Sequence, residues 1–232
     1  GTSTSSSIRR GRRAPYAFVT PASSRTGAVI VDGLNSMPDR PNPNPPSPFV
    51  RQWLSTVAPG ARLRALDLAC GSGRHALAMA RAGYFVTAVD IRLDALRTLR
   101  ASADVEQLAV RGVCADMTAM PLPQERFDLI VVTRYLDRTL FPALREALRP
   151  GGILLVETFT EHQLRHGSGP RSSAHLLRPG ELRTLVTGMD VLFDEEVMAP
   201  AALARMAARK RANRSVLQCD DERSAISDSQ YF

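Results

Sequence analysis

The fold is decided by residues 66–90, which read Leu66-Asp-Leu-Ala-Cys-Gly-Ser-Gly-Arg-His-Ala-Leu-Ala-Met-Ala-Arg-Ala-Gly-Tyr-Phe-Val-Thr-Ala-Val-Asp90. Its apolar runs predict β-strands at 65–68 and 84–89, and the alanine-rich segment between them predicts a helix at 76–82. A strand, a glycine turn, a helix and a second strand form the repeating unit of a parallel sheet with right-handed crossovers. We therefore expect an α/β fold built outward from this unit.

The same alternation continues on the carboxyl side of the unit. Further strands are predicted at 110–114, 127–132 and 153–158, and further helices at 92–103 and 142–148. Beyond residue 158 we expect a helix at 179–186 and strands at 189–193 and 215–219, while the periodicity of 203–209 fits a strand or a helix. The prediction is a doubly wound, mostly parallel sheet of seven strands with helices on both faces.

Three segments differ in composition. Residues 1–46 are rich in Ser, Arg and Pro and lack apolar periodicity, so we expect a disordered leader there. The folded domain is expected at 47–219, because Ser47 and Pro48 suit the start of a helix, and a loose tail at 220–232. A basic, acid-poor leader is typical of a mitochondrial or plastid transit peptide, and an ordinary flexible tail or cloning remnant is the alternative.

The charge balance bears on possible partners. The net charge is +7, but the leader contains six of the 30 basic residues and only two of the 23 acidic residues, so the folded part is nearly neutral. Apart from the run 205–214 we find no basic stripe, and we do not expect nucleic acid as a partner. No apolar run approaches the roughly 20 residues that cross a bilayer. The three cysteines lack zinc or disulfide spacing, so we expect no metal and a cytoplasmic, reducing environment, unless the leader is a transit peptide.

The glycine loop predicts a nucleotide site. Gly71 and Gly73 allow a tight turn, and the helix that follows offers unpaired N–H groups to an anionic group of a ligand. Seventeen residues after Gly73, the second strand ends at Asp90, whose carboxylate suits the two ribose hydroxyls of an adenosine. The same spacing also fits the dinucleotide fingerprint, so the glycines alone leave an NAD-dependent oxidoreductase open.

Three further features resemble the class I S-adenosylmethionine-dependent methyltransferases. The run 66–73 with its acid at Asp67 is similar to their motif I, Cys114-Ala-Asp116-Met117 follows the third strand as in that family, and Leu148-Arg-Pro-Gly-Gly-Ile153 matches the turn before their fifth strand. Flanking runs at 46–53, 133–138 and 176–182 place the chain nearest the bacterial tellurite-resistance type. Ala69 stands where motif I usually has a second glycine, and the acid is Asp67 rather than Glu; both variants are common in that group.

The resemblance implies S-adenosylmethionine as cofactor and assigns roles to single residues. Asp67 would help to hold the methionine end, Asp116 would meet the adenine amino group, and Met117 would pack against the ring. The full set of implied cofactor-binding residues is Asp67, Ala69, Gly71, Gly73, Asp90, Ile91, Asp116, Met117 and Thr133.

The implied reaction is in-line methyl transfer to a small-molecule acceptor. Arg134 and Tyr135 follow the fourth strand, where this family places residues that contact the acceptor, and we assign them to acceptor positioning; a surface loop with a salt bridge is the alternative. His162, His166 and His175 lie in the connection after the fifth strand, which would suit a lid or a solvated loop. A methyltransferase-like fold that serves as an interaction module without catalysis also stays open. The acceptor and the oligomeric state cannot be predicted from these residues.

Overall fold

A computed structural model of the protein describes residues 29–31, 44–56 and 63–212. Its strands are β1 Val29–Val31, β2 Arg64–Leu68, β3 Phe85–Asp90, β4 Val110–Cys114, β5 Phe127–Thr133, β6 Leu148–Phe159, β7 Met189–Val197 and β8 Leu203–Lys210. Its α-helices are α1 Pro48–Thr56, α2 Arg74–Arg81, α3 Leu93–Val105, α4 Phe141–Ala147 and α5 Glu181–Leu185.

All described strands belong to one sheet with the order β1-β4-β3-β2-β5-β6-β8-β7. Strands β2 to β6 are mutually parallel, β8 is antiparallel to both of its neighbours, and β1 is antiparallel to β4. The chain places β3 and β4 on one side of β2 and then returns to place β5 and β6 on the other side. In doubly wound sheets, ligands bind at such a switch point, beyond the carboxyl ends of the strands.

Helices cover both faces of the sheet, and each face has its own apolar core. Side chains from α1, α2 and α3 pack with Ala65 on one face, whereas α4 and α5 pack with Leu66 and Leu68 on the other. Neighbouring residues of β2 thus point to opposite faces, as a strand requires. The predicted class, a doubly wound and mostly parallel sheet with seven strands in the main domain, is confirmed by β2 to β8.

The leader contributes an unpredicted strand. Residues 29–31 read Val-Ile-Val and pair with Gly112 to Cys114 along the outer edge of β4. The prediction that all of 1–46 is disordered is therefore wrong at these three residues, because a β-branched run can complete an open sheet edge despite its Ser- and Arg-rich surroundings. Residues 1–28 and 32–43 lie outside the described residues.

The second half of the sheet departs from the predicted boundaries. Strand β6 begins at Leu148 rather than 153, because the pairing with β5 jumps from Phe127–Leu148 to Leu129–Ile153 and loops out the Pro-Gly-Gly turn inside the strand. The ambiguous segment 203–209 is a strand, β8, inserted between β6 and β7. The predicted strand at 215–219 lies outside the described residues.

Candidate functional site

The carboxyl edge of the parallel strands collects the predicted site residues. The glycine loop follows β2, Asp90 ends β3, Asp116 follows β4, and Arg134 follows β5. Since the parallel strands end at the same edge, residues far apart in sequence become neighbours there.

The glycine loop and the end of β3 are joined through one carboxylate. Oδ2 of Asp90 accepts a hydrogen bond from the N–H of Gly71 at 2.7 Å, and Oδ1 accepts from the N–H of Arg92 at 2.9 Å. The Asp90 side chain is only 10% exposed. A carboxylate oxygen has two lone pairs, so Asp90 keeps acceptor capacity beyond these two bonds.

The two glycines of the loop, Gly71 and Gly73, are required for different structural reasons. Both have left-handed backbone angles, with φ of 56° at Gly71 and 80° at Gly73. A Cβ on Gly71 would meet only Arg92 Nη2 at 3.9 Å, whereas a Cβ on Gly73 would collide with the side chain of Leu99. Gly71 therefore presents open backbone at the edge, and Gly73 serves close packing of the loop on α3. Ala69 also has a positive φ, 54°.

Asp67 is fully buried beneath the loop. Its Oδ2 accepts a hydrogen bond from the N–H of Ala76 at 2.8 Å, in the first turn of α2, while Oδ1 has no hydrogen-bond partner among the described residues. Burial raises the pKa of Asp67 to about 7, against the lowering effects of the Ala76 bond and of the Arg74 charge. The site thus contains a desolvated acid that a ligand cation beside it would favour in the ionised form.

His75 ties three elements together behind the loop. Its Nε2 accepts from the N–H of Ser47 at 3.2 Å, and its Nδ1 lies 3.1 Å from Oγ1 of Thr133. Because Nε2 accepts, the neutral ring has its proton on Nδ1 and donates it to Thr133. Burial, with help from Arg74 and Arg134, lowers the pKa of His75 to about 3. His75 is therefore a neutral structural link, and Thr133 uses its hydroxyl in that link.

The residues implied for adenine binding follow β3 and β4 at the carboxyl edge of the sheet. Ile91 is 66% exposed directly after Asp90, whereas Met117 is buried in the core. Asp116 is exposed, and its Oδ1 accepts from the N–H and the hydroxyl of Thr118 at 2.9 and 2.8 Å, which lowers the pKa of Asp116. The exposed apolar surface at this edge is supplied by Ile91 rather than Met117.

Arg134 and Tyr135 follow β5, and Arg134 has an unusual backbone conformation. Arg134 has a φ of 54°, which costs a residue with a Cβ about 1–2 kcal/mol. Its N–H donates to the carbonyl of Glu157 at 2.7 Å, and its guanidinium lies 5.8 Å from the ring centre of Phe159. Tyr135 is half-buried, and burial together with Asp137 and Asp116 raises its pKa. The strained turn keeps Arg134 at the carboxyl edge.

Two charged groups at this edge were missed by the sequence analysis. Glu157 is buried beside Thr133, and its Oε2 accepts from Nε of Arg205 at 2.9 Å, while Nη1 of Arg205 also lies 3.2 Å from Glu195. Arg74 is half-buried at the start of α2 and feels the charge of Arg134. A search of the sequence for glycines and strand ends does not detect Glu157 or Arg74. The partner of Glu157 is apparent only in the fold, where the pairing of β6 with β8 places Glu157 opposite Arg205.

A cleft of about 510 Å³ lies between the turn after β5 and the connection that follows β6. Arg138 closes one side, because its guanidinium donates to both carboxylate oxygens of Glu181 and to the carbonyls of Ala174 and Leu176. Of the histidines in the connection, His162 is half-buried, while His166 and His175 are exposed.

The remaining features show few other candidate sites. Of the basic run at 205–214, residues 213 and 214 lie outside the described residues. Arg205 and Lys210 are in β8 and Arg211 follows it, and all three make ion pairs with neighbouring strands or turns. Cys70 and Cys114 are free thiols, and burial raises the pKa of Cys70.

Among the described residues, no group of three metal-binding side chains occurs. In the same part of the chain, none of the helices combines the length and hydropathy needed to span a bilayer.

Comparison with known proteins identifies the central segment. Residues 65–152 match the sequence profile of a methyltransferase domain family. An uncharacterized methyltransferase of Mycobacterium bovis is 35% identical over 119 residues, which cover 49% of this chain and 59% of that protein. The chain spans only a little over half the length of the first curated relatives it matches, 59% and 51%.

Solved structures share the fold at low identity. TehB from Haemophilus influenzae superposes with a TM-score of 0.59 at 22% identity, covering 70% of this chain and 61% of that one. A phosphoethanolamine N-methyltransferase of Haemonchus contortus, solved with S-adenosyl-L-methionine, gives a TM-score of 0.56 at 16% identity and covers 69% of this chain and 52% of that one. At these identities the likeness establishes the fold.

Proposed function

We propose, from the match of residues 65–152 to a methyltransferase domain family, that the protein is a class I S-adenosylmethionine-dependent methyltransferase that transfers a methyl group from S-adenosylmethionine to a small-molecule acceptor. The observation that carries the proposal is the link between Gly71 and Asp90 at the switch point of the sheet. It places open backbone, a partly free carboxylate and the exposed side chain of Ile91 at one edge, which is the combination that an adenosine requires.

The residues present fit the donor. Asp90 has acceptor capacity for ribose hydroxyls, and Ile91 offers an apolar face to the adenine ring. Asp116 follows the neighbouring strand β4, whose Cys114 pairs with Asp90. At the other end, the unpartnered Oδ1 of Asp67 suits the donor's ammonium group. Arg74 and the N-terminal turn of α2 suit its carboxylate, because helix N-termini and guanidinium groups attract anions.

Catalysis in this arrangement is a matter of positioning. When bound, S-adenosylmethionine supplies an electrophilic methyl group on its sulfonium. The chain's part is to hold donor and acceptor in line and to exclude water. We assign the acceptor side to Arg134 and Tyr135, which leave β5 next to the loop of β2. A thiolate acceptor needs no base, whereas a hydroxyl or amine acceptor must lose a proton.

The oxidoreductase alternative is weaker than the transferase. The dinucleotide fold has the strand order 3-2-1-4-5-6 in a parallel sheet, and here the strands beyond β6 are an inserted antiparallel β8 and then β7. Asp67 before the glycines also has no part in the dinucleotide fingerprint. No feature of the described residues favours NAD.

We further propose that the main body of the domain spans 47–219, with β1 at 29–31 added to its edge, and that the setting is cytoplasmic. The free thiols of Cys70 and Cys114 support a reducing compartment.

The test is transfer of an isotopically labelled methyl group. The protein is incubated with labelled S-adenosylmethionine and a panel of thiols, amines, hydroxyl compounds and carboxylates, and label is followed into product. Transfer to any class supports the proposal. Donor binding without transfer across the panel would favour an interaction module, and displacement of the donor by NAD at matched concentration would favour the oxidoreductase.

A further inference from the structure

The cleft between the turn after β5 and the connection after β6 lies at the carboxyl edge of the sheet, the edge that also carries the glycine loop. It is lined by Arg138, Glu161, Leu164, Arg171, Leu176 and Arg178. The connection that forms it begins at the carboxyl end of β6, and a parallel bridge between Thr160 and Leu177 holds its two ends together. Its volume, about 510 Å³, falls in the range of small-molecule sites.

The cleft has more positive than negative charge. Arg138 is neutralised by Glu181, with N–O distances of 2.7 and 3.0 Å, and the resulting low pKa of Glu181, about 2, keeps that carboxylate ionised. Arg178 reaches the same carboxylate only at 3.7 Å and is 78% exposed. One carboxylate therefore serves two arginines.

Arg171 adds a third cation. Among the described residues it makes no ion pair, and its Nη2 contacts only the carbonyl of Gly167, at 3.4 Å. Glu161 is the single acid in the cleft wall. Since Glu181 and Glu161 face three guanidinium groups, a surplus positive charge remains in the cleft.

Arg134 follows β5, the strand that lies between β2 with its glycine loop and β6 with the connection that forms the cleft. Its guanidinium lies over Phe159, two residues before Glu161, and it too makes no ion pair within the described part of the chain. The cleft also has an apolar side, because Leu164 is 51% exposed and lies in the wall. The surroundings thus suit a molecule with an apolar body and an anionic group.

We propose that this cleft is the acceptor subsite and that it takes a small molecule with a carboxylate or phosphate group, held by Arg171 and Arg178. The inference rests on the proposed methyl transfer. It narrows the acceptor to anionic compounds whose reactive atom points toward Arg134 and the glycine loop.

The test measures binding of simple probes to the protein saturated with S-adenosylhomocysteine. Benzoate and phenyl phosphate are compared with neutral benzamide by ligand-observed NMR, in the unchanged protein, in the double variant Arg171→Gln/Arg178→Gln, and in Arg165→Gln. Arg165 is exposed in the same connection but lies outside the cleft wall, so it is the matched control for loss of charge.

We expect at least one anion to bind tenfold or more tightly than benzamide, and the double variant to lose that preference, because a charge-assisted hydrogen bond contributes about a factor of ten or more. Arg165→Gln should leave the preference intact. Equal binding of benzamide, an equal loss in Arg165→Gln, or no probe binding would overturn the inference.

Calorimetry with S-adenosylhomocysteine on the same samples separates the two proposals. If the unchanged protein does not bind S-adenosylhomocysteine, the proposed donor site is wrong. If it binds S-adenosylhomocysteine but does not prefer the anionic probes, only the proposed acceptor class is wrong.

Discussion

The N–H of Gly71 donates to Oδ2 of Asp90 across 2.7 Å, which joins the loop after β2 to the end of β3. Gly71 follows β2 and Asp90 ends the adjacent parallel strand β3, and their bond shapes the edge where an adenosine would lie. Neither residue alone distinguishes a methyl donor from a dinucleotide. Under the proposed function, the buried Asp67 and the antiparallel insertion of β8 favour the methyl donor over the dinucleotide.

We predict that Gly73→Ala destabilises the protein more than Gly167→Ala. Both glycines have positive φ, 80° and 67°, so both variants suffer left-handed strain of about 1–2 kcal/mol. Only Gly73 also meets Leu99, whereas a Cβ on Gly167 meets nothing within 4 Å. Urea unfolding should show an additional loss of about 1–3 kcal/mol for Gly73→Ala. Equal losses would mean that Leu99 moves aside freely.

Asp67→Asn should become increasingly stabilising, relative to the unchanged protein, as the pH rises. Burial raises the folded-state pKa from 3.8 to about 7, so the folded state binds the proton more tightly than the unfolded chain. The contribution of Asp67 to the free energy of unfolding therefore falls between pH 4 and 7 and stays low above pH 7. The amide side chain introduced by the substitution removes that penalty, and its oxygen can still accept from the N–H of Ala76.

The free energy of unfolding of Asp67→Asn, relative to that of the unchanged protein, should rise by about 2–4 kcal/mol between pH 4 and pH 8. Asp104→Asn, an exposed acid on α3, is the control and should show no such trend. A difference that stays constant with pH would show that Asp67 is already ionised in the folded chain.

His75→Ala is expected to lower the free energy of unfolding by about 2–4 kcal/mol, because it removes a buried ring and leaves the N–H of Ser47 and the hydroxyl of Thr133 without their partner. The surface variant His166→Ala should change it by less than about 0.5 kcal/mol. Chemical denaturation compares the two. A loss below about 1 kcal/mol for His75→Ala would indicate that water replaces the ring.

The bond between Arg138 and Glu181 should give stability that depends on pH. The folded-state pKa of Glu181 is lowered from 4.5 to about 2, first by Arg138. Its stabilisation is complete above pH 4.5 and is lost as the pH falls toward 2. Glu181→Gln should therefore lower the melting temperature at pH 7, with a difference that shrinks below about pH 4.5.

Glu106→Gln serves as the matched control, because Glu106 also pairs with an arginine, Arg81, but on an exposed surface. Its effect at pH 7 should be small, as exposed ion pairs contribute about 0–1 kcal/mol. If both variants behave alike, Arg138 does not anchor the connection after β6.

Much of the parallel half of the fold was predictable from the sequence. Its strands are short apolar runs, and acids such as Asp90 mark the strand ends. The edge strand at 29–31 was missed because three β-branched residues give little signal until β4 offers an edge to pair with. The identity of β8 stayed ambiguous because both of its faces are largely buried, so alternation is weak.

The candidate site was predictable only in part. Glycines and acids at strand ends indicate a nucleotide loop through local spacing, whereas the Glu157 and Arg205 pair depends on a register between β6 and β8. The Arg138 and Glu181 contact likewise joins residues 43 positions apart. Such contacts are set by packing, which spacing along the chain does not record.

The donor site at Gly71 and Asp90 is the feature on which the proposed methyl transfer most directly depends. Calorimetric titration of S-adenosylmethionine into the unchanged protein, Asp90→Ala and the surface control Asp104→Asn tests it, with melting temperatures to check folding. We predict binding with one site per chain, a loss of tenfold or more in affinity for Asp90→Ala, and no change for Asp104→Asn. Absence of binding in the folded, unchanged protein, or full affinity in Asp90→Ala, would contradict the assignment of this edge as the donor site.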